Sequence, residues 1–366
     1  MFTAKVTGKS KSATLKTAVT LLLVLFLAVP GTGLLSIDLS QASGGSWDDD
    51  RDDDDDNHWR RPRFCSQTAK VVFDACGNEL KDDYSIAIAN CTNVSDNNER
   101  KECVIDARAE KKEGKELCKE QFEARLEVCD LVGEKRYDPD FDPENFVDPR
   151  EIGGSVSPNP FFPLVAGTQW VYVGTFEDDE GAEVTERITV TVTDKIKLIE
   201  GVTCVVVNDL VTEDDVPIED TDDWYAQDED GNVWYCGEIA KNFETFEGDD
   251  PDDPELVDIE GSWKAGRDGA KPGILVLAAP EVRDVYRQEV SWGDAEDVAE
   301  VISITGTTES VPFVNCSGDC LVTRESTPIE PGVNENKYYK PDVGLILEVD
   351  MEGNRVKLIS KGVVTP

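Results

Sequence analysis

Histidine is almost missing from this chain: His58 stands alone among 366 residues, and methionine occurs twice. That scarcity leaves no Ser-His-Asp or Cys-His pair, and no Gly-x-Ser-x-Gly motif supplies a nucleophile. No nucleotide or cofactor motif stands out either. Basic charge is scarce too, with 36 Lys+Arg against 77 Asp+Glu and a formal net charge of −41. Such a surface repels nucleic acid and anionic membranes and attracts cations. Beyond Ile37 no apolar run is long enough to span a membrane.

What is present begins with a leader. Lys5, Lys9, Lys11 and Lys16 form a basic region with no acid before Asp38, and Ala18 to Val29 is apolar. Ser40-Gln41-Ala42 offers small residues for cleavage before Ser43. The expectation is a signal peptide over residues 1–42 of a bacterial type, and an extracytoplasmic (periplasmic or secreted) chain. The rival is an uncleaved N-terminal anchor from Thr17 to Ile37, interrupted by Pro30. A lipoprotein is disfavoured, because the first cysteine is Cys65.

Residues 43–63 read as a disordered acidic tract. Asp48 to Asp56 has almost nothing apolar to bury, and suits a solvated spacer better than an ordered Ca²⁺ site. His58 lies at its end, before Arg60, Arg61 and Arg63. Six cysteines follow: Cys65, Cys76, Cys91, Cys103, Cys118 and Cys129. Their intervals of 11, 15, 12, 15 and 11 form a palindrome. A constant sum of positions is the contact rule of two antiparallel arms. Intervals of 11 and 15 are near whole helical turns of about 3.6 residues, so each arm keeps its cysteines on one face.

Residues 64–131 are therefore expected to form a helical hairpin with nested bridges Cys65–Cys129, Cys76–Cys118 and Cys91–Cys103, with Asn90 to Glu102 as its tip. The absence of a Cys-x2-Cys pair or an internal histidine argues against a metal site. Gly77 and Gly114 fit the helices poorly. Residues 132–157 read as an Asp/Pro-rich linker pinned by Tyr137, Phe141 and Phe146.

Residues 158–366 read as roughly ten strands of an antiparallel β domain, joined by turns such as Asp230-Gly231. The expected class is α+β: a small disulfide-laddered helical hairpin, then a larger antiparallel β half-barrel or barrel-like domain. Cys316 and Cys320 close easily on each other. Cys204 and Cys236 would pair by elimination, yet a simple meander puts a strand between them, and next-but-one strands lie about 9–10 Å apart. Either the sheet curls there, or these cysteines pair with Cys316 and Cys320.

Asp228, Asp230 and Asn232 mimic the first ligands of a Ca²⁺ loop. Gly231 precedes Asn232, however, and the twelfth position is Ile239, so a hairpin turn explains the pattern as well. No cofactor is expected beyond that weak Ca²⁺ candidate. Trp170, Tyr172, Trp224, Trp234, Tyr338 and Tyr339 are the candidates for a ligand-binding face, with the glycine-rich loop Gly261 to Gly273 available to cover it.

Several segments resemble a recurrent domain of exported bacterial proteins. They are Asn159 to Tyr172, Asp223 to Tyr235, Gly261 to Gly273, Tyr286 to Glu289 and Lys337 to Leu345, with the ending Tyr-Tyr-x-Pro-x-Val-Gly-Leu. The domain is distantly similar to DUF3108/TapB-like and lipoprotein-carrier half-barrels. The resemblance implies a curved sheet able to hold an apolar ligand or an envelope protein partner, and implies no reaction. Three functions follow as expectations: a non-enzymatic exported binding module, a calcium-responsive surface-assembly protein, or a metal- or carboxylate-dependent hydrolase. Peptide mapping without reduction should recover Cys65 linked to Cys129; any other partner for Cys65 refutes the ladder.

Overall fold

The computed structural model describes residues 63–177, 182–246, 248, 250 and 253–365. The leader, nearly all of the acidic tract and His58 lie outside the described residues. Helix α1 (Phe64–Asn93) and helix α2 (Asn97–Val132) run antiparallel, and three disulfides cross between them as the palindrome requires. The tip is shorter than expected, only Val94 to Asp96. Asp96 makes this possible, because its carboxylate accepts from Asn98 N and Glu99 N at the start of α2. Gly114 has a packing reason: a Cβ there would meet Leu80 Cδ1 at 2.6 Å. Phe73 and Phe122 fill the seam, their ring centroids 5.2 Å apart. Each bridge adds about 2–4 kcal/mol to an arm pair that buries little on its own.

The Asp-Pro steps of the linker act as small caps. Asp142 and Asp148 each accept a backbone N–H from two residues on, starting short 3-10 turns at Pro143 and Pro149. Phe141 and Phe146 then close on Trp234, and the Tyr137 hydroxyl donates to Pro272 O. The linker is thus laid along the outside of the β domain.

That domain holds strands β1 (Thr168–Glu177), β2 (Glu183–Ile199), β3 (Val202–Glu213), β4 (Val216–Gln227), β5 (Val233–Ile239), β6 (Asn242–Glu244), β7 (Glu255–Asp258) and β8 (Lys271–Val276). It continues with β9 (Val285–Arg287), β10 (Glu289–Val290), β11 (Val298–Thr307), β12 (Ser317–Ser326), β13 (Asn334–Lys340), β14 (Gly344–Asp350) and β15 (Arg355–Val363). The order around the sheet is β10-β8-β5-β4-β3-β2-β1-β15-β14-β13-β12-β11-β9, with β6 and β7 a ribbon off β4. Since β9 and β10 are separated only by Gln288, the two ends of that path are one stretch of chain. The sheet therefore nearly closes into an antiparallel barrel, further than a half-barrel.

Closure depends on β8, a strand the sequence reading left within and beyond a covering loop. Gly273 sits at the seam, where a Cβ would lie 2.4 Å from the backbone of Arg287 and Gln288. The preceding loop is not a lid. Trp263, Ala265 and Ala270 are buried, and Ala265 N bonds Cys236 O.

Cys204 and Cys236 are joined, with Cα atoms 6.8 Å apart, and Cys316 pairs with Cys320. Strand β4 does lie between β3 and β5, as feared. Trp224 faces Gly237 while Tyr225 faces Tyr235, so Cys236 is an extra residue in β5. That bulge and the curvature of the sheet bring its sulfur across β4.

The hairpin is fixed to the barrel by a buried ion pair. Arg125 Nε and Nη2 reach both oxygens of Glu296 at 2.6–3.1 Å, and Glu296 also accepts from Gly293 N. Gln121 donates to Ile329 O beside it. Arg125→Ala should leave Glu296 buried and unpaired, lowering unfolding free energy by about 3–5 kcal/mol in urea denaturation. A paired Arg125→Met, Glu296→Leu exchange should recover most of that loss.

Candidate functional site

Alternation along the strands sends every second side chain into the barrel. In β4 the inward set is Glu219, Thr221, Asp223 and Tyr225; in β13 it is Glu335, Lys337 and Tyr339. The interior is consequently divided. One part is apolar, built on Trp170, Ile188, Val190, Val207, Leu345 and Leu358, all buried. The rest is lined by acids.

Lys337, 1% exposed, is the centre of that polar part. Its ammonium lies 3.1 Å from Glu325 and 2.9 Å from Glu335, and Glu348 is its direct neighbour on β14. Burial alone would lower the lysine, but Glu325, Glu335 and Glu348 together push it well above its ordinary value. Asp209, Asp223, Glu238, Glu289 and Asp297 are buried around it. Burial lifts Asp297 to about 7 against the pull of Lys337. Burial, aided by Asp223 and Glu219, lifts Asp209. Burial, aided by Asp297, does the same to Glu289. Asp209 Oδ1, Glu238 Oε1 and both oxygens of Glu348 accept no hydrogen bond.

Between Lys337 and the carboxyls of Asp209 and Asp223 lies a cavity of about 20 Å³, room for one or two waters. Phe162, Tyr225, Tyr339 and Leu345 complete its wall. Phe162 comes from the segment before β1, where Asn159 accepts from Phe161 N and Phe162 N and donates to Gly231 O. An aromatic column runs through the interior from Trp170 to Phe162, Tyr225, Tyr235 and Trp263, with centroids 4.7–5.8 Å apart.

The six aromatic candidates do not share one face. Trp170, Tyr172 and Tyr339 point inward and are buried in packing. Trp170 Nε1 donates to Val343 O, and the Tyr172 hydroxyl to Leu345 O. Trp224, Trp234 and Tyr338 fall on the outer face by alternation. Lys197 covers the Trp224 ring at 3.3 Å, the linker phenylalanines cover Trp234, and Tyr338 is half-buried. The residues missed by sequence reading, Asp209, Asp223, Glu238, Glu289 and Lys337, were hidden in an acidic background. For Asp223 and Lys337 the signal was alternation within β4 and β13, polar residues taking the inward positions; Asp209, Glu238 and Glu289 lie on β3, β5 and β10.

The Ca²⁺ candidates form a turn. Asp228 accepts from Asn232 N, Asn232 Nδ2 and Trp234 Nε1, which satisfies its carboxylate. Asp350 does the same with Asn354 N and Nδ2, so Asp-x-x-Gly-Asn closes both hairpins. Among the described residues no group of three His, Cys, Asp or Glu is placed to hold a metal ion.

Comparison with known proteins finds no matching family and no matching curated protein. A crystal structure described as a beta-barrel-like protein of the domain of unknown function DUF1849, from Brucella abortus, aligns with 55% of this chain. The alignment covers 99% of that protein, at 13% identity and a TM-score of 0.29. The barrel-like class rests on the strand order of the chain itself, and the finer DUF3108/TapB-like resemblance gains no support from these comparisons. No helix among the described residues is long and apolar enough to cross a membrane. Five disulfides with no free cysteine suggest an oxidising compartment.

The raised carboxyls bind protons more tightly in the folded barrel than in the unfolded chain. Their stability contribution is complete below the ordinary carboxyl range and is lost as pH rises towards about 7, the value for Asp223 and Asp297. Lys337→Met removes the counter-charge of Glu325 and Glu348. We expect a loss of about 3–5 kcal/mol near neutral pH and a smaller loss near pH 5, read by urea denaturation.

Proposed function

We propose that this chain is an exported, non-enzymatic binding module, with the barrel as receptor and the helical hairpin as its spacer or docking piece. The leader and the disulfides support export. The observation that carries the receptor reading is the polar interior. A barrel core filled with apolar side chains would fold more stably than one holding Asp209, Glu238, Glu289 and Glu348 with oxygens unsatisfied. Such local violations of packing rules are found where function requires them.

The interior also sets the kind of guest. It must be small and must bring positive charge or hydrogen-bond donors, because the free space is about 20 Å³ beside two carboxyls. A larger apolar ligand, the class implied by the half-barrel resemblance, would have to displace Phe162 and the segment that carries it. An envelope protein partner would instead meet the hairpin, where Val71, Ile86 and Ile105 are exposed.

Native mass spectrometry of the chain purified from its own host separates these outcomes. We expect an added mass that is lost on denaturation, and the size of that mass distinguishes a small polar guest from an apolar one. A native mass equal to the bare polypeptide, with no partner retained, would sink the receptor reading.

A further inference from the structure

One hydroxyl in the barrel serves two carboxyls. Tyr235 Oη lies 2.5 Å from Asp223 Oδ1 and 2.9 Å from Glu238 Oε2. The two acids are direct cross-strand neighbours on β4 and β5. All three residues are at least nine-tenths buried, so water cannot separate the charges. A phenol has one proton and can donate to one acceptor. The second contact is a hydrogen bond only if the other carboxyl carries a proton and donates to the phenolic oxygen. With both acids ionised, one short oxygen–oxygen contact would hold no proton at all.

We propose that Asp223, Tyr235 and Glu238 form a binding site for one shared proton, and that its release above neutral pH loosens the β4–β5 seam beside the cavity. The proposal deepens the receptor reading and rests on it only for its biological use, naming the proton as the controlling ligand of that interior.

The surroundings favour retention of the proton. Glu219 and Asp222 lie on β4 itself, Asp209 on β3 and Glu289 on β10. Tyr225 stacks on Tyr235. Lys337 on β13 lines the same cavity and is engaged with Glu325 and Glu335. Burial, partly offset by the Tyr235 hydrogen bond and reinforced by Glu219 and Asp222, lifts Asp223 to about 7. Burial, then Glu289 and Asp223, push Glu238 well above the ordinary carboxyl range. Loss of the shared proton puts a new charge at the cavity wall, since Asp223 lines it.

Two measurements on the full chain test this. Difference infrared spectroscopy across neutral pH should show carbonyl stretches of protonated carboxyls, of which one component is lost in Glu238→Gln or Asp223→Asn, while the whole set, with its share from Asp209, Glu289 and Asp297, is retained in Glu300→Gln, a partly exposed control. Urea denaturation over the same range should show wild-type stability falling as pH rises. Glu238→Gln should flatten that slope by about one proton's worth. No protonated band in the wild type overturns the proposal, even if neither variant folds. So does an unchanged slope in both variants. Stability at alkaline pH that potassium or calcium chloride restores in full would assign the charge balance to a cation and also overturn it. A chain that keeps its co-purified guest but lacks the band refutes the proton site and leaves the receptor reading standing.

Discussion

Charge balance in a nearly closed interior is the constraint on which the rest of the structure depends. When a sheet curls until its ends meet, the inward residues of all strands share one poorly solvated space. Lys337 among Glu325, Glu335 and Glu348 satisfies part of that space. Of the acids beyond it, Asp223 and Glu238 meet the Tyr235 hydroxyl, while burial raises the carboxyls of Asp209 and Glu289. Coulomb energy grows as the effective dielectric falls, so each of those groups is far more sensitive to its neighbours than the many surface acids are. The net charge of −41 matters for solubility; the few buried acids matter for what the barrel can do.

The covalent and ionic clamps hold the outer parts steady around that interior. Three bridges make the hairpin behave as one body, and the Arg125–Glu296 pair fixes it to the loop between β10 and β11. That loop is where the barrel closes, since Ser291 to Asp297 links the strand paired with β8 to the strand paired with β9. A force applied to the hairpin is therefore delivered to the seam. The linker adds a second attachment, with Phe141 and Phe146 seated on Trp234 of β5.

How much of this the sequence showed depended on the kind of constraint. The hairpin was legible because a disulfide ladder is arithmetic: positions that add to a constant must face each other. The strands were mostly legible from β-branched and aromatic runs, and Trp234 and Tyr235 do fall on opposite faces. The polar interior was not. Inward Glu219, Thr221 and Asp223 alternate with Asp220 and Asp222, so no apolar periodicity marks which acids are inside. Strand β8 was missed because its start fell within the glycine-rich loop Gly261 to Gly273, whereas Gly273 is needed for close backbone approach at the seam. The Ca²⁺-like pattern at Asp228 was ambiguous for a related reason: a carboxylate that caps a turn and one that binds a cation begin with the same spacing.

The Cys236 bulge connects these levels. In a regular strand, Tyr235 and Glu238 are three residues apart and must point to opposite faces. Skipping Cys236 shifts the register, so that Glu238 faces Asp223 instead of Asp222 and joins Tyr235 inside the barrel. The same extra residue turns a cysteine towards Cys204 across β4, and the bridge then holds the bulge in place. Gly237 permits it, because at φ 130° any Cβ would strike Trp263 O. One inserted residue thus accounts for a disulfide that strand spacing alone disfavours and for the meeting of two carboxyls at one hydroxyl. The link runs from backbone register to protonation, and it makes the oxidised cysteine pair a structural condition of the acid pair.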